Sequence, residues 1–346
     1  MFRKKKTPAT VVGLELDPGH IAAAVASADG SVSLSRGAVS TLRPGVLRDG
    51  EASDPVELAA ALKTFFAEHD LPTRVRVGIA NQRIVARTLE LPVMPSDEAL
   101  EEQVRSVAPD HIPMPIDEAV LDFHALGQVA TAEGPRTRVV VVAVRREIVE
   151  RLHAACDAAG LHVEGIDLAA FGMLRALPRP AASAATLYVG VAGLVNVAVA
   201  NESGCLFTRA AAGGLEALAS SLSDRAGLTM EHAHQWLRHV GLVTELDDVV
   251  GEAHLVDATR AALEEGVHEL ADTVRNSLNF YRMQESAEPV EQGVVTGPAL
   301  AIPGFVERLS EQLKLPLEPA VVAAEDEAAD LSRLTVAAGL AVDGAA

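Results

Sequence analysis

Cysteine is scarce in this 346-residue chain, which contains only Cys156 and Cys205. Two cysteines cannot build the disulfide framework of a small secreted protein. The N-terminal residues also lack the pattern of a signal peptide, because Glu15 and Asp17 interrupt the first apolar segment. We therefore expect a cytoplasmic protein with reduced thiols.

Positive charge is scarce as well, since 29 Lys and Arg residues stand against 48 Asp and Glu residues and the formal net charge is −19. A protein of this charge repels polyanions, so nucleic acid is excluded as an expected partner. The basic cluster Arg3 to Lys6 is typical of a solvated tail, with weak attraction to anionic lipid as the alternative. We expect contact with a membrane to be peripheral and to run through partner proteins.

Charge is missing altogether from residues 181–201, AASAATLYVGVAGLVNVAVAN. An uncharged run of this length is a candidate membrane span. However, it consists mainly of Ala, Gly and Val, carries Thr186, Tyr188 and Asn196, and has Gly193 between two dense apolar segments. This pattern favours two β-strands joined by a tight turn.

Two halves of the chain begin alike. Residues 12–41 read as three strands with turns at 17–19 and at 29–30, followed by a helix over 54–68 and a strand over 74–80. Residues 185–211 again read as three strands, followed by a helix from Gly214. A repeated strand-strand-strand-helix unit predicts two similar domains that face each other across a cleft. With 49% hydrophobic residues, the chain can bury two such cores.

Between the halves lies a different pattern, which we interpret as a small αββαβ insert over residues 90–167. Its elements are expected at 97–107, 119–126, 136–144, 146–159 and 162–168. The predicted division is a first subdomain over 1–89, the insert over 90–167, and a second domain over 168–346. That second domain adds helices over 214–226, 230–239, 253–284 and 303–314 and a short apolar helix near the end.

The stretch LELPVMPSDEALEEQVRSVAPDHIPMPIDEAVLDFHAL resembles the inserted subdomain of the PilM family of type IV pilus assembly proteins, with its LPxMP, IPxP and VLDF elements. The segments AGLHVEGIDLAAFGMLRAL, FTRAAAGG, VRNSLNFYR and AAGLAV resemble further blocks of that family in the same order. The resemblance spans nearly the whole chain. It implies an actin-like α/β fold of two duplicated RNase H-like domains, related to the cell-division protein FtsA.

The resemblance also implies a cleft for Mg-ATP, built from two phosphate loops and an adenosine loop. The first loop, VGIDIGSSSVK in the family, corresponds to residues 12–22 and would include Glu15, Asp17 and Gly19. Here Asp17 replaces a glycine, Pro18 removes an N–H donor, and Ala22 replaces the expected lysine. These departures argue against a functional first phosphate loop.

The other two loops depart from the family pattern too. In the second, DIGAS corresponds to residues 190–194, so that Gly190 replaces the acid and Gly193 follows in the turn. In the third, TGGGA corresponds to Thr296, Gly297 and then a proline. Gly213 and Gly214 precede a helix and could meet an anion, or serve only as a turn. ATP and magnesium are therefore doubtful cofactors, and hydrolysis is not expected.

The family resemblance implies a scaffold that binds the cytoplasmic N-terminal segment of a PilN-like inner-membrane protein, at the inner face of the cell membrane. In the family, the peptide groove lies between the first domain and the insert. We take the loop residues Met94, Ile112 and Met114 as candidate walls, with packing onto the insert's own core as the alternative. Other pilus assembly components are expected partners, and the sequence leaves a homo-oligomer open.

Two other functions stay open. The first is an active actin-like ATPase or, less favoured, a sugar-kinase-like phosphotransferase, because a fold does not settle a function. A kinase needs a catalytic base near the second loop, and Gly190 and its neighbours offer none. The second is metal binding by the histidines of EHAHQWLRH, but one helix does not supply the three or four convergent ligands of a zinc site. We assign no catalytic residue and no metal ligand.

Overall fold

The first half of the chain forms an antiparallel meander that continues into a parallel strand. The computed structural model describes residues 10–132, 134–179, 185–284, 287–324 and 330–344; the basic cluster Arg3 to Lys6 and residues 181–184 lie outside these ranges. The first elements are β1 (Val12–Asp17), β2 (His20–Asp29), β3 (Ser31–Thr41), β4 (Leu47–Arg48), β5 (Glu51–Ala52), α1 (Pro55–Glu68) and β6 (Arg74–Ile79).

Helix α1 begins where the sequence predicts. The Asp54 carboxylate accepts a hydrogen bond from the Glu57 N–H at 3.0 Å, and Pro55 occupies the first turn, where a missing N–H is harmless. Leu58, Leu62 and two phenylalanines on one face of α1 are buried against the sheet. In that sheet β1 lies between β2, which is antiparallel to it, and β6, which is parallel to it.

The inserted unit consists of β7 (Val85–Pro92), α2 (Asp97–His111), β8 (Ala119–Thr131) and β9 (Gly134–Arg145). Its three strands are ordered β7-β9-β8 and are antiparallel. Helix α2 covers one face of this sheet, where Leu100, Val104 and Ala108 pack against Val139 and Val141. The helix runs four residues beyond its predicted end, because Pro109 removes only one hydrogen bond of its last turn and Ala108 stays buried.

The last part of the expected insert packs elsewhere. Helix α3 (Arg146–Ala158) shares a core with α1, and β10 (His162–Leu168) is parallel to β6 in the first sheet. The insert sheet therefore uses β7 instead of the predicted fifth element, and the αββαβ pattern is corrected to βαββ. The apolar stripe of α3 explains this, since Ile148, Leu152 and Cys156 complete the core of the first half. The predicted division of the chain at residues 89 and 167 stays a prediction.

The second half repeats the first. Its elements are α4 (Ala169–Ala176), β11 (Ala185–Val191), β12 (Val195–Asn201), β13 (Gly204–Ala211), α5 (Leu215–Ala226), α6 (Met230–Val240), α7 (Ala253–Arg282), β14 (Val290–Thr296), α8 (Phe305–Leu313), β15 (Leu317–Pro319), β16 (Ala323–Ala324) and α9 (Leu331–Leu340). The strand order β13-β12-β11-β14 has the same pairing directions as β3-β2-β1-β6. The prediction of a duplicated unit is thereby confirmed.

The uncharged run thus forms strands in the stretch that the structure describes. Residues 185–191 and 195–201 are β11 and β12, and every residue of β11 is buried. None of the helices in the described ranges is long and apolar enough to cross a membrane. The strand-turn-strand prediction for this run is confirmed.

Helix α9 packs on the first sheet and on α4. Buried apolar residues on α9 contact β1, β2 and β3, and its Leu340 lies against Gly78 and Gly172. A Cβ atom at Gly13 of β1 would lie 1.8 Å from the Ala337 carbonyl oxygen. The backbones of sheet and helix therefore approach more closely than any residue with a side chain would allow.

Candidate functional site

The carboxyl end of β1 meets the turn between β11 and β12, although 176 residues separate them. The Asp17 carboxylate accepts hydrogen bonds from the backbone N–H groups of Gly193 and Leu194, the latter at 3.1 Å. A Cβ atom at Gly193 would lie 2.6 Å from Asp17 Oδ2. The structure thus brings together two predicted site residues, one from each half.

The N-terminus of α5 packs directly beneath this turn. The Leu215 N–H donates to the Ala192 carbonyl oxygen at 2.7 Å, and a Cβ atom at Gly214 would lie 2.3 Å from that same oxygen. Gly213 takes a positive φ of 89° and has open space around it. In the described structure, this pair serves as the turn from β13 into α5.

Glu216, in the first turn of α5, crosses to the first half. Its carboxylate lies 3.7 Å from His20 Nδ1 and 3.0 Å from His234 Nε2 on α6, and it also lies against Gly19. Glu216 and His234 were not predicted as cleft residues, because their partners are distant along the chain. The acidic residue in the helix turn after Gly214 is the one signal that could have indicated Glu216.

The pKa values of three ionisable side chains in the cleft are shifted far from their ordinary values. Burial raises the pKa of Glu15 well above its ordinary value, and nearby Asp17 raises it further. Burial also raises the pKa of Asp17 to about 7, although its two backbone donors act in the opposite direction. Burial and the Arg333 guanidinium lower the pKa of His20 to about 4. Arg333 also reaches the cleft from α9, with its Nε 3.3 Å from Asp330 Oδ2, and was not predicted as a cleft residue.

The adenosine-loop residues lie on the floor of the same cleft. Thr296 ends β14 opposite Gly190 of β11, and Gly297 turns the chain with a φ of 101°. In the part of the chain that the structure describes, the buried Thr296 Oγ1 has no hydrogen-bond partner. Pro298 follows and begins a short 3₁₀ turn.

The cavity of the cleft is small. Its volume is about 20 Å³, which is room for about one water molecule. Glu15, Asp17, Gly190, Thr296 and Gly297 line it, whereas the predicted residues Gly19, Gly193, Gly213 and Gly214 do not. In this arrangement Asp17 occupies the N–H groups of Gly193 and Leu194, which belong to the second phosphate loop of the family pattern.

A larger cavity of about 290 Å³ lies between the insert sheet on one side and β10 and α4 on the other. One wall is the face of the insert sheet turned away from α2, where Val120, Asp122 and His124 of β8 stand beside the valines of β9. The other wall comes from the end of β10 and from α4, including Phe171 and Arg175. We call this cavity the insert groove. It is mainly apolar, with acidic and basic groups on both walls.

Arg175 fixes the second wall of the insert groove. Its guanidinium forms a salt bridge with Asp167 and donates from Nε to the Gly339 carbonyl oxygen of α9 at 2.8 Å. The Arg175 side chain is 9% exposed. This wall is therefore a rigid surface.

The three predicted wall residues lie outside the insert groove. Ile112 is 3% exposed in the core under α2, and Met94 and Met114 pack against the same core. None of the three is among the residues that line the groove. The arrangement matches the alternative interpretation, in which these loops cover the insert's own core, and contact of these residues with a partner stays a prediction.

Within the described ranges, no three His, Cys, Asp or Glu side chains are placed to hold a metal ion. The histidines of α6 instead make other contacts. His234 contacts Glu216, and His239 Nε2 lies 2.7 Å from the Val250 carbonyl oxygen.

Comparison with known proteins agrees with this architecture. A chain of the solved structure described as the PilM-PilN type IV pilus biogenesis complex is 26% identical, with a TM-score of 0.78, and the match covers 97% of this chain and 98% of that one. The ethanolamine utilization protein EutJ from Carboxydothermus hydrogenoformans matches with a TM-score of 0.55 at 14% identity, over 99% of this chain and 92% of that one. MreB 5 of Spiroplasma citri bound to AMPPNP matches with a TM-score of 0.53 at 12% identity, over 96% and 95% of the two chains.

The last two likenesses concern the fold alone, and together with the duplicated sheets they establish the actin-like two-domain α/β fold. The sequence profile of the family described as type IV pilus assembly protein PilM matches residues 20–343. That range covers nearly all of the chain and includes both halves and the insert. The chain therefore belongs to the PilM family of type IV pilus assembly proteins.

Proposed function

We propose that this chain is a cytoplasmic coupling component of type IV pilus assembly. It would bind the short cytoplasmic N-terminal segment of a PilN-like inner-membrane protein and so stay at the inner face of the membrane. The insert groove is the observation that carries this proposal, and the solved PilM-PilN complex of a related chain supports the class of partner.

The groove suits an extended peptide. Among the described residues β8 pairs only with β9, so the other edge of this strand has no strand beside it. An added strand could pair with this edge, while the groove takes up its apolar side chains. Val120 and Val142 offer apolar contact, and Asp122 and His124 offer polar contact beside them.

A pair of phenylalanine variants tests the groove. Phe171 lines it, whereas Phe280 is 59% exposed on α7 and lines none of the cavities described above. We expect Phe171→Ala to weaken binding of a synthetic PilN N-terminal peptide about tenfold or more, because a buried aromatic side chain contributes about 1.5–3 kcal/mol. Phe280→Ala should leave the affinity unchanged. Isothermal titration calorimetry with both variants, after a melting curve for each, measures this difference.

His124→Ala provides a second groove variant, since this side chain is exposed and does not support the core. Met94→Ala and Met114→Ala test the other location for the peptide. Loss of affinity in the methionine variants, with none in Phe171→Ala and His124→Ala, would move the peptide from the groove to the loops. Equal affinity in all variants would contradict both sites.

We further propose that coupling proceeds without ATP turnover. Three observations support this proposal. The Asp17 carboxylate bonds to the N–H groups of the second loop, burial favours the neutral state of Glu15, and the cleft cavity is small. The alternative is an actin-like ATP-binding protein or ATPase, which the fold makes plausible because MreB 5 of this fold was solved with AMPPNP. A sugar-kinase-like phosphotransferase is less favoured, because Gly190 and its neighbours in the second loop offer no catalytic base.

Titration with a fluorescent ATP analogue and magnesium, together with a phosphate-release assay, separates these alternatives. We expect no binding at millimolar nucleotide and no release of phosphate. Binding that Glu15→Ala abolishes would establish a nucleotide site, and magnesium-dependent release of phosphate would restore the ATPase.

A further inference from the structure

The Asp17 carboxylate of the first half contacts the turn at residues 192–194 of the second half. We propose that Asp17 is a built-in anion that occupies the backbone N–H groups of this turn and holds the two halves closed on each other. A phosphate group would reach these N–H groups only after Asp17 has left them. This inference does not depend on the insert groove or on its peptide.

The turn is built as an anion site. The N–H groups of Gly193 and Leu194 are consecutive along the chain and point to the two oxygens of one carboxylate. Successive backbone N–H groups of a turn form a concave site for anions. A carboxylate satisfies these donors in the same manner as a phosphate.

Both sides of the contact are held in place by other bonds. On the side of the turn, Ala192 donates its N–H to the Leu194 carbonyl oxygen at 3.1 Å and accepts the Leu215 N–H. On the side of Asp17, the Leu42 N–H donates to the Gly19 carbonyl oxygen at 2.7 Å and anchors the loop between β1 and β2. The carboxylate therefore docks between two fixed pieces of backbone.

The absence of a side chain at position 193 makes room for the carboxylate. A Cβ atom there would lie 2.6 Å from Asp17 Oδ2 and 2.6 Å from the Pro18 carbonyl oxygen. The next residue, Leu194, is 4% exposed and packs in the core shared with Ala80 of the first half and Val336 of α9. Hydrogen bonds and apolar contact thus act at the same point.

A second contact between the halves lies beside the first. Glu216 of the second half reaches His20 of the first half and His234 of α6, and Arg333 of α9 also faces the cleft. Glu216 and Arg333 are the charged groups that act on the Asp17 carboxyl, and they act in opposite directions. Burial disfavours the charged form of Asp17, so the two backbone donors are needed to hold it.

The test is amide hydrogen exchange at residues 193 and 194 in the full chain, measured by NMR at pH 8. We expect Asp17→Asn to speed exchange of both amides roughly 10- to 100-fold, because a hydrogen bond to a charged group contributes about 1.5–3 kcal/mol. Gly193→Ala removes the same contact from the other side and should speed exchange of the Leu194 amide. Wild-type protection in both variants would overturn the proposal.

Asp54→Ala is the matched control. Asp54 is also a carboxylate that accepts a backbone N–H, but its partner Glu57 lies in the same half. This variant should speed exchange in the first turn of α1 and leave residues 193 and 194 unchanged. If it exposed residues 193 and 194 as much as Asp17→Asn does, the effect would be general destabilisation and the proposal would be wrong.

Inorganic phosphate supplies an independent readout. In Asp17→Gly the N–H groups are free, so we expect millimolar phosphate to slow exchange of residues 193 and 194. The wild-type protein should show no such effect, since Asp17 already occupies the site. An equal effect of phosphate on both proteins, or none on the variant, would contradict the proposed role of Asp17.

Discussion

Substitution of Gly13 by alanine should strongly destabilise the first half. The new Cβ atom would lie 1.8 Å from the Ala337 carbonyl oxygen and 2.5 Å from the Ala341 nitrogen, whereas ordinary contact begins at 3.4 Å. Helix α9 would have to move away from β1 by about 1.6 Å, the difference between 3.4 Å and 1.8 Å, and its buried residues would lose contact with the sheet. Because a helix backbone cannot rotate away as a side chain can, we expect a loss of about 3 kcal/mol or more.

Gly165→Ala is the matched control for this substitution. Gly165 also lies in a strand of the first sheet, but its nearest neighbour would be Arg76 Nε at 4.0 Å. Alanine there should change the free energy of unfolding by less than about 1 kcal/mol. Urea unfolding followed by circular dichroism measures both variants. Equal midpoints for the two would refute the claim that backbone contact between β1 and α9 limits position 13.

Three further predictions concern buried polar groups. His20→Gln should lose less stability than the wild type when the pH falls from 7 to 4, by up to about 3 kcal/mol. The reason is the lowered pKa of His20, whose contribution to the free energy of unfolding is complete above pH 6.5 and is lost as the pH falls toward about 4. Melting curves over this pH range measure the difference. Glu15→Gln should become more stable relative to the wild type as the pH rises above 4.5. The raised pKa of Glu15 means that the folded wild type is favoured while this carboxyl is protonated and loses stability once the unfolded chain releases the proton. An unchanged difference in melting temperature between the two proteins from pH 5 to 8 would contradict this. Tyr188→Phe should lose about 1 kcal/mol in urea unfolding, because the buried hydroxyl donates to the Pro178 carbonyl oxygen at 3.2 Å; an unchanged midpoint would mean that this bond contributes nothing.

Local signals predicted most of the elements. The cap at Asp54, the apolar face of α1 and the break at Gly193 are short-range features, and each element lies where its pattern indicates. The partner of an element is not a local property. Helix α3 has an apolar stripe that suits either the insert or the first half, and only the packed core shows that it joins α1.

The candidate site was predictable to the extent that it lies in the family loops. Glu15, Asp17, Gly190 and Thr296 lie around one cavity, as the resemblance implies. Glu216, His234 and Arg333 lie on helices that the loop patterns do not include, and their contacts join distant parts of the chain. The resemblance implied a groove between the first domain and the insert, but the residues that line the insert groove could not be named from the sequence, because they depend on how β8, β9, β10 and α4 pack.

Asp17 and Pro298 look like equivalent losses when the sequence is compared with the family pattern, because each replaces a glycine of a nucleotide loop. The structure separates them. Asp17 brings a carboxylate to two N–H groups of the other half and so adds a contact between the halves. Pro298 lines the cavity, has no N–H to donate and restricts the backbone φ angle of the loop, but it adds no contact between the halves. Asp17→Gly should therefore free the N–H groups of Gly193 and Leu194 for a phosphate. Pro298→Gly would add one backbone N–H to the cavity but would leave those two N–H groups bonded to Asp17.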